Sequence, residues 1–83
     1  SMKIVLSTDL NLNMKAGHHM KLYPPSLKFS TPAVASLFEA NWLMTEVSHV
    51  FKTVKGRTYI TLQTTALPQR GSIELDSRFY RTV

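Results

Sequence analysis

Two long runs of alternating side chains, "NWLMTEVSHVFK" at residues 41–52 and "RTYITLQTTAL" at residues 57–67, are separated by four residues ending in Gly56. Period-two alternation marks a strand with two distinct faces, and a short glycine-bearing break between two such runs predicts a β-hairpin. Pairing Lys52 with Arg57 leaves residues 53–56 as the loop, with Gly56 able to take a left-handed turn conformation. That register sets Leu43, Val47 and Phe51 with Ile60, Leu62 and Ala66. A one-residue slip would put Phe51 and Val47 beside Tyr59 and Gln63, a poorer apolar match.

The same alternation decides what chemistry the ribbon can hold. Trp42, Met44, Glu46, Ser48 and Val50 share one face, while Leu43, Thr45, Val47, His49 and Phe51 share the other. A nucleophile and its base must come within hydrogen-bond reach. Ser48 and Glu46 both point away from His49, so the three cannot act together. His49, directed inward among Val47, Ile60 and Leu62, is expected to be a structural histidine bonded to Thr45 or Thr64. Trp42, Met44 and Val50 are left on the face away from that core, with Glu46 among them as an interchain ion-pair partner or an edge carboxylate. Large apolar groups in such a position mark a surface that something covers. The inserted helix carrying Leu37 and Phe38, a partner chain and a small molecule are the three candidates, and Trp42, Met44, Glu46, Val50, Leu37 and Phe38 form the candidate interface.

Around the hairpin, "KIVLSTDLNLNM" reads as strand with Leu10, Leu12 and Met14 continuing its alternation. "KAGHHMKLYPP" gives a turn at Ala16 and Gly17, a short strand from His19 to Tyr23, and a stop at Pro24 and Pro25. In "STPAVASLFEAN", Thr31 can cap and Pro32 suits the first helical position, which predicts a short helix inserted between strands. Residues 68–83 hold only Ile73, Leu75, Phe79 and Tyr80 as apolar anchors and read as a tail or linker behind a domain of residues 3–67. The fold class expected is mainly β, a small antiparallel β-barrel with a long C-terminal hairpin and one short inserted helix.

A chain of 83 residues forms one small core and buries only about 60% of its unfolded surface. Ser1 and Met2 read as a cloning remnant ahead of an internal fragment. Cysteine is absent, which excludes disulfides and thiolate metal sites. No run of about 18 apolar residues is present for a membrane span, and no signal-peptide core follows the N-terminus. His18 and His19 diverge along a strand and lack a third ligand, so no metal site is expected. Gly17, Gly56 and Gly71 stand alone, which excludes a phosphate-binding glycine loop, and no cofactor is expected.

The order of these segments resembles the last β-barrel domain of baseplate hub proteins from contractile-tailed bacteriophages. The wider group includes late-control D-type tail proteins and type VI secretion spike proteins. The features that carry the resemblance are the approach from Leu12 to Gly17, the apolar strand from Met20 to Leu22, the "TEVSH" strand flanked by hydrophobic residues, and the "TYITLQTTA" return strand. Together they cover residues 6–67. Ala16 stands where the family often has proline before the glycine, and the insertion at residues 23–41 is long for the family. The resemblance implies a structural virion protein of the tail baseplate. Its barrels, as a homotrimer, make a ring that joins tail tube to central spike and lets DNA pass. Partners would be other copies of the parent chain together with tube and spike proteins, and assembly would take place in the bacterial cytoplasm.

The alternative is a small β-barrel that binds single-stranded nucleic acid through aromatic platforms at Trp42, Tyr59 and Tyr23. Ten Lys and Arg against five Asp and Glu make the chain basic, but the cations are scattered singly. Only Lys52, Lys55 and Arg57 lie close together, in a turn, so no phosphate-gripping cluster is expected. An enzyme ranks behind both, because no acid, base and nucleophile converge.

Overall fold

A computed structural model describes residues 2–24, 32–65, 67 and 70–80. Its elements, in chain order, are β1 (Met2–Asp9), β2 (His19–Met20), α1 (Pro32–Glu39), β3 (Trp42–Val50), β4 (Arg57–Thr64) and β5 (Gly71–Leu75), followed by a 3-10 turn at Ser77–Phe79. Thr31, expected to cap the helix, and Ala66 and Pro68 of the hairpin's end lie outside the described residues. The protein is mainly β, with one five-stranded sheet in the order β2-β3-β4-β1-β5 and one short helix. β1 runs antiparallel to β4 and parallel to β5, so the sheet is mixed rather than wholly antiparallel. Among the described residues no ladder joins β2 to β5 and closes it into a barrel.

The hairpin of β3 and β4 forms, but its register and faces differ from expectation. Val50 rather than Lys52 pairs with Arg57, which lengthens the loop to residues 51–56. A shift of two preserves which side chains share a face, so Val47 and His49 still point to the core. The larger change is a β-bulge. Met44 pairs with Leu62 and Glu46 with Thr61, leaving Thr45 without an opposing residue. One extra residue reverses the alternation of everything before it. Trp42 and Met44 therefore face the core on the same side as Val47 and His49, and Leu43 turns to the outer face.

The core lies on one face of the sheet. Ile4 and Leu6 from β1, Ile60 and Leu62 from β4, and Trp42 and Met44 from β3 are buried there, closed over by Met14, Leu22 and Ala40. Burying each large apolar side chain stabilises by about 1.5–3 kcal/mol, so the half-dozen from the sheet dominate the cohesion. Leu37 and Phe38 of α1 pack against this cluster, and the Phe38 ring stacks on Phe79 at a centroid distance of 6.3 Å. The covering for Trp42 is thus the inserted helix of the same chain. Pro32 opens that helix as its fixed φ and missing N–H favour.

Three further segments depart from expectation. Leu10 and Leu12 do not continue a strand: β1 ends at Asp9, and Leu12 and Asn13 form a turn. The strand expected from His19 to Tyr23 is only His19 and Met20. Of residues 68–83, read from their sparse pattern as a tail or linker, Gly71–Leu75 join the sheet and Ser77–Phe79 form the 3-10 turn. Met2 pairs with both Thr64 and Gly71, so β4 ends and β5 begins beside the start of β1, on its two sides. Ile73 and Leu75 then join Ile4 and Leu6 on the core face.

Candidate functional site

Every residue type capable of chemistry in "TEVSH" sits on β3, and the bulge places each one. Glu46 and Ser48 are exposed on the outer face, opposite Thr61 and Tyr59. His49 lies half-buried on the inner face, opposite Thr58. The sheet itself separates Ser48 from His49, so proton transfer between them has no path.

His49 is instead part of a buried polar network. Its Nδ1 stands 2.9 Å from Thr58 Oγ1, and the Asn11 backbone N–H donates to the same oxygen at 2.8 Å. Thr58 is fully buried. With the Asn11 N–H on one lone pair, the Thr58 hydroxyl still has its own proton and a second lone pair, and it bonds His49 Nδ1 in the direction the imidazole tautomer sets. Asn11 Nδ2 in turn donates to the Tyr80 hydroxyl at 3.1 Å. The partner is Thr58, not Thr45 or Thr64 as the sequence had suggested; Thr45 Oγ1 faces the Thr61 carbonyl at 3.4 Å. The network seals one end of the core by joining β3, β4, the β1–β2 connection and the C-terminal turn. Its hydroxyls and amides satisfy one another, which is structural work.

The outer face of the sheet is where a partner could reach. It presents Lys3, Val5 and Ser7 of β1, Tyr59 and Gln63 of β4, and Leu43, Glu46, Ser48 and Val50 of β3. Two shallow depressions lie on it. One is lined by His19, Asn41, Leu43, Gln63, Thr64 and Thr65, the other by Val5, Ser7, Tyr59, Glu74 and Leu75. In the second, Ser7 Oγ accepts from Arg57 Nη2 at 3.0 Å. A cation beside the hydroxyl cannot take its proton, so this serine is not activated.

Of the expected interface residues, Glu46 and Val50 are exposed on the outer face, while Trp42 and Met44 are buried and Leu37 and Phe38 pack over them. Trp42 and Met44 cannot meet a partner without unfolding the core. Leu43 and Tyr59 take their place on the accessible side, a reassignment that needs the bulge position and so was hidden in the alternation. His18 and His19 are both exposed, and among the described residues no three His, Asp or Glu side chains gather around a point. Nor is any helix among the described residues long and apolar enough to cross a membrane.

Asp76 is the residue whose ionisation the fold visibly alters. The Arg78 side chain donates to it at 3.0 and 3.1 Å and the Arg78 backbone N–H adds a further bond at 3.0 Å. These hold its carboxyl below the ordinary aspartate value, and Arg78 is raised in return. Both side chains are open to solvent, and Asp76 caps the 3-10 turn that holds Arg78. Comparison with protein-family models, curated proteins and solved structures finds no match to this chain.

Proposed function

We propose that this chain is a structural assembly module that works by docking rather than by chemistry. The observation that carries the proposal is the divergence of Glu46, Ser48 and His49 across the two faces of one strand. The uncovered face, with Leu43, Val50 and Tyr59 among polar neighbours, offers the docking surface in their stead. Mixed apolar and polar composition of this kind is ordinary for interfaces that form and exchange.

The resemblance to bacteriophage baseplate hub barrels gives the proposal its specific form. The chain would be one barrel-like unit of a trimeric hub in the tail baseplate of the virion. It would contact other copies of the parent chain, the tail tube and the spike, with DNA as passing cargo. A formal charge of +5, its cations scattered apart from Lys52, Lys55 and Arg57, suits a wall that DNA slides past, since extensive clustered phosphate contacts would hold it. Light scattering over a concentration series tests the core of the proposal. Self-association that Leu43→Asp and Val50→Asp both abolish supports it, and a monomer at every concentration counts against it.

The second reading, a module for single-stranded nucleic acid, loses its main stacking candidate because Trp42 is enclosed. It keeps Tyr59, which shares a face with Arg57 two residues away. Anisotropy of a labelled oligonucleotide separates the readings. Tight binding that falls steeply with salt and disappears in Tyr59→Ala favours the nucleic-acid module.

A further inference from the structure

The loop that turns β3 into β4 exposes apolar and cationic side chains together. Phe51 is 67% exposed and Val54 97%, and Lys52 and Lys55 lie on the same six residues, 51–56, open to solvent. Leu10 packs against Gly56 from the neighbouring connection, which brings the exposed Leu10 and Leu12 to this end of the sheet. The carboxylate at the base of the tip is already engaged: Asp9 lies 3.1 Å from Arg57 and 3.4 Å from Lys55. Arg57 also reaches Ser7. One carboxylate thus serves two cations at the base of the tip, and among the described residues no acid pairs with Lys52, so the tip keeps a net positive charge.

We propose that this hairpin tip docks on an anionic lipid bilayer, with Phe51 and Val54 entering the headgroup boundary and Lys52 and Lys55 meeting lipid phosphates. A bilayer boundary accepts aliphatic and aromatic groups beside long-stemmed lysines, whose stems lie along apolar surface while the ammonium stays in the headgroup layer. A single signal gives only marginal attachment, and firmer binding combines an apolar one with an electrostatic one; the tip holds both. Nucleic acid would use the lysines but has no place for Val54, the most exposed of the apolar residues here. The paired strands end at Val50 and Arg57, and residues 51–56 extend beyond them as the solvent-facing tip. The proposal does not rest on the assembly reading, and either can fail alone.

The test is sedimentation of the full chain with phosphatidylcholine vesicles and with vesicles in which part of that lipid is replaced by phosphatidylglycerol. Binding is expected to the anionic vesicles, weakening as salt rises. Lys52→Ala and Lys55→Ala should each lower partitioning about fivefold. The Phe51→Ser/Val54→Ser double variant should lower it about tenfold or more with an unchanged thermal melt. Should the double variant fail to fold, Val54→Ser alone serves, because that side chain touches almost nothing in the fold. Failure to bind anionic vesicles, or equal binding to both kinds, overturns the proposal. So does vesicle binding that survives loss of Phe51 and Val54 and is matched by an oligonucleotide, which would mark a general polyanion site.

Discussion

The indole Nε1 of Trp42 donates to the carbonyl oxygen of Leu37 at 2.8 Å, so the largest side chain in the core also closes the end of the helix that covers it. Leu37 is in the last turn of α1, where carbonyl groups have no partner inside the helix. Lys21 Nζ donates to the Glu39 carbonyl at 2.8 Å and brings to that end the positive charge its own last turn lacks. Helix and sheet are therefore joined by directional bonds as well as by apolar contact.

Trp42→Ala should cost about 3–5 kcal/mol of stability, seen as a lower urea midpoint. On the alternation alone, the same substitution is expected to weaken association with neighbouring chains more than it destabilises the fold. Trp42→Phe keeps most of the ring but frees the Leu37 carbonyl, and should fall between the alanine variant and the parent. An unaltered midpoint for the alanine variant would place Trp42 outside the core.

Gly56 should resist substitution for a reason other than its turn conformation. Its φ is not positive; among the described glycines those with positive φ are Gly17 and Gly71. A Cβ at Gly56 would stand 2.9 Å from the Val50 carbonyl oxygen and 3.1 Å from Leu10 Cδ2. The leucine can move, but the backbone oxygen cannot. Gly56→Ala is expected to lose about 1–3 kcal/mol in chemical denaturation, and adding Leu10→Ala should not restore it. Full rescue by Leu10→Ala would show that the side chain, not the carbonyl, sets the limit.

Deleting Thr45 should abolish the native state, because it forces β3 back into strict alternation and turns either Trp42 and Met44 or Val47 and His49 away from the core. Thr45→Ala, which keeps the residue count, should change stability by less than about 1 kcal/mol. Near-ultraviolet circular dichroism of the Trp42 band distinguishes the two. A deletion variant that retains the band and melts cooperatively would mean the bulge is dispensable.

Thr58→Val keeps the shape of a fully buried side chain and removes the oxygen shared by His49 and the Asn11 N–H. Leaving those groups unpaired should cost about 1–3 kcal/mol, whereas Thr58→Ser should cost less. Equal urea midpoints for Thr58→Val and the parent would show that water replaces the hydroxyl without penalty.

Asp76 gives a pH dependence of definite sign. Its pKa is lowered in the folded chain, first by the Arg78 side-chain bond and then by the Arg78 backbone N–H. The charged form is thus favoured by folding, and its contribution is present above the unfolded aspartate value of about 3.9 and lost as pH falls through the lower folded value. Asp76→Asn should flatten the fall of Tm between about pH 4 and pH 2, so that its Tm deficit against the parent, constant at higher pH, narrows across that range. A steeper acid limb in the variant would reverse the assignment.

The β-rich class, the hairpin, the inserted helix from Pro32 and the turn at Ala16 and Gly17 were legible in the sequence, because each depends on neighbours a few residues away. The separation of Ser48 from His49 was legible too, since adjacent strand residues diverge wherever the strand is placed. Which face of β3 was buried was not. Alternation specifies sides only relative to a register, and Thr45 carries no local mark as an unpaired residue. The candidate interface therefore contained Trp42 and Met44, which the fold encloses, beside Glu46 and Val50, which it exposes.

What the sequence determined by itself was the hairpin, the inserted helix, the Ala16–Gly17 turn and the divergence of Ser48 from His49 along β3. Only the tertiary structure decided that β5 lies parallel to β1, that α1 roofs Trp42, and that Gly56 is confined by the Val50 carbonyl. Each of these joins residues far apart in the chain, where the energy comes from apolar surfaces and backbone groups meeting in space. A local pattern can prepare such surfaces, but it does not say which two will be pressed together.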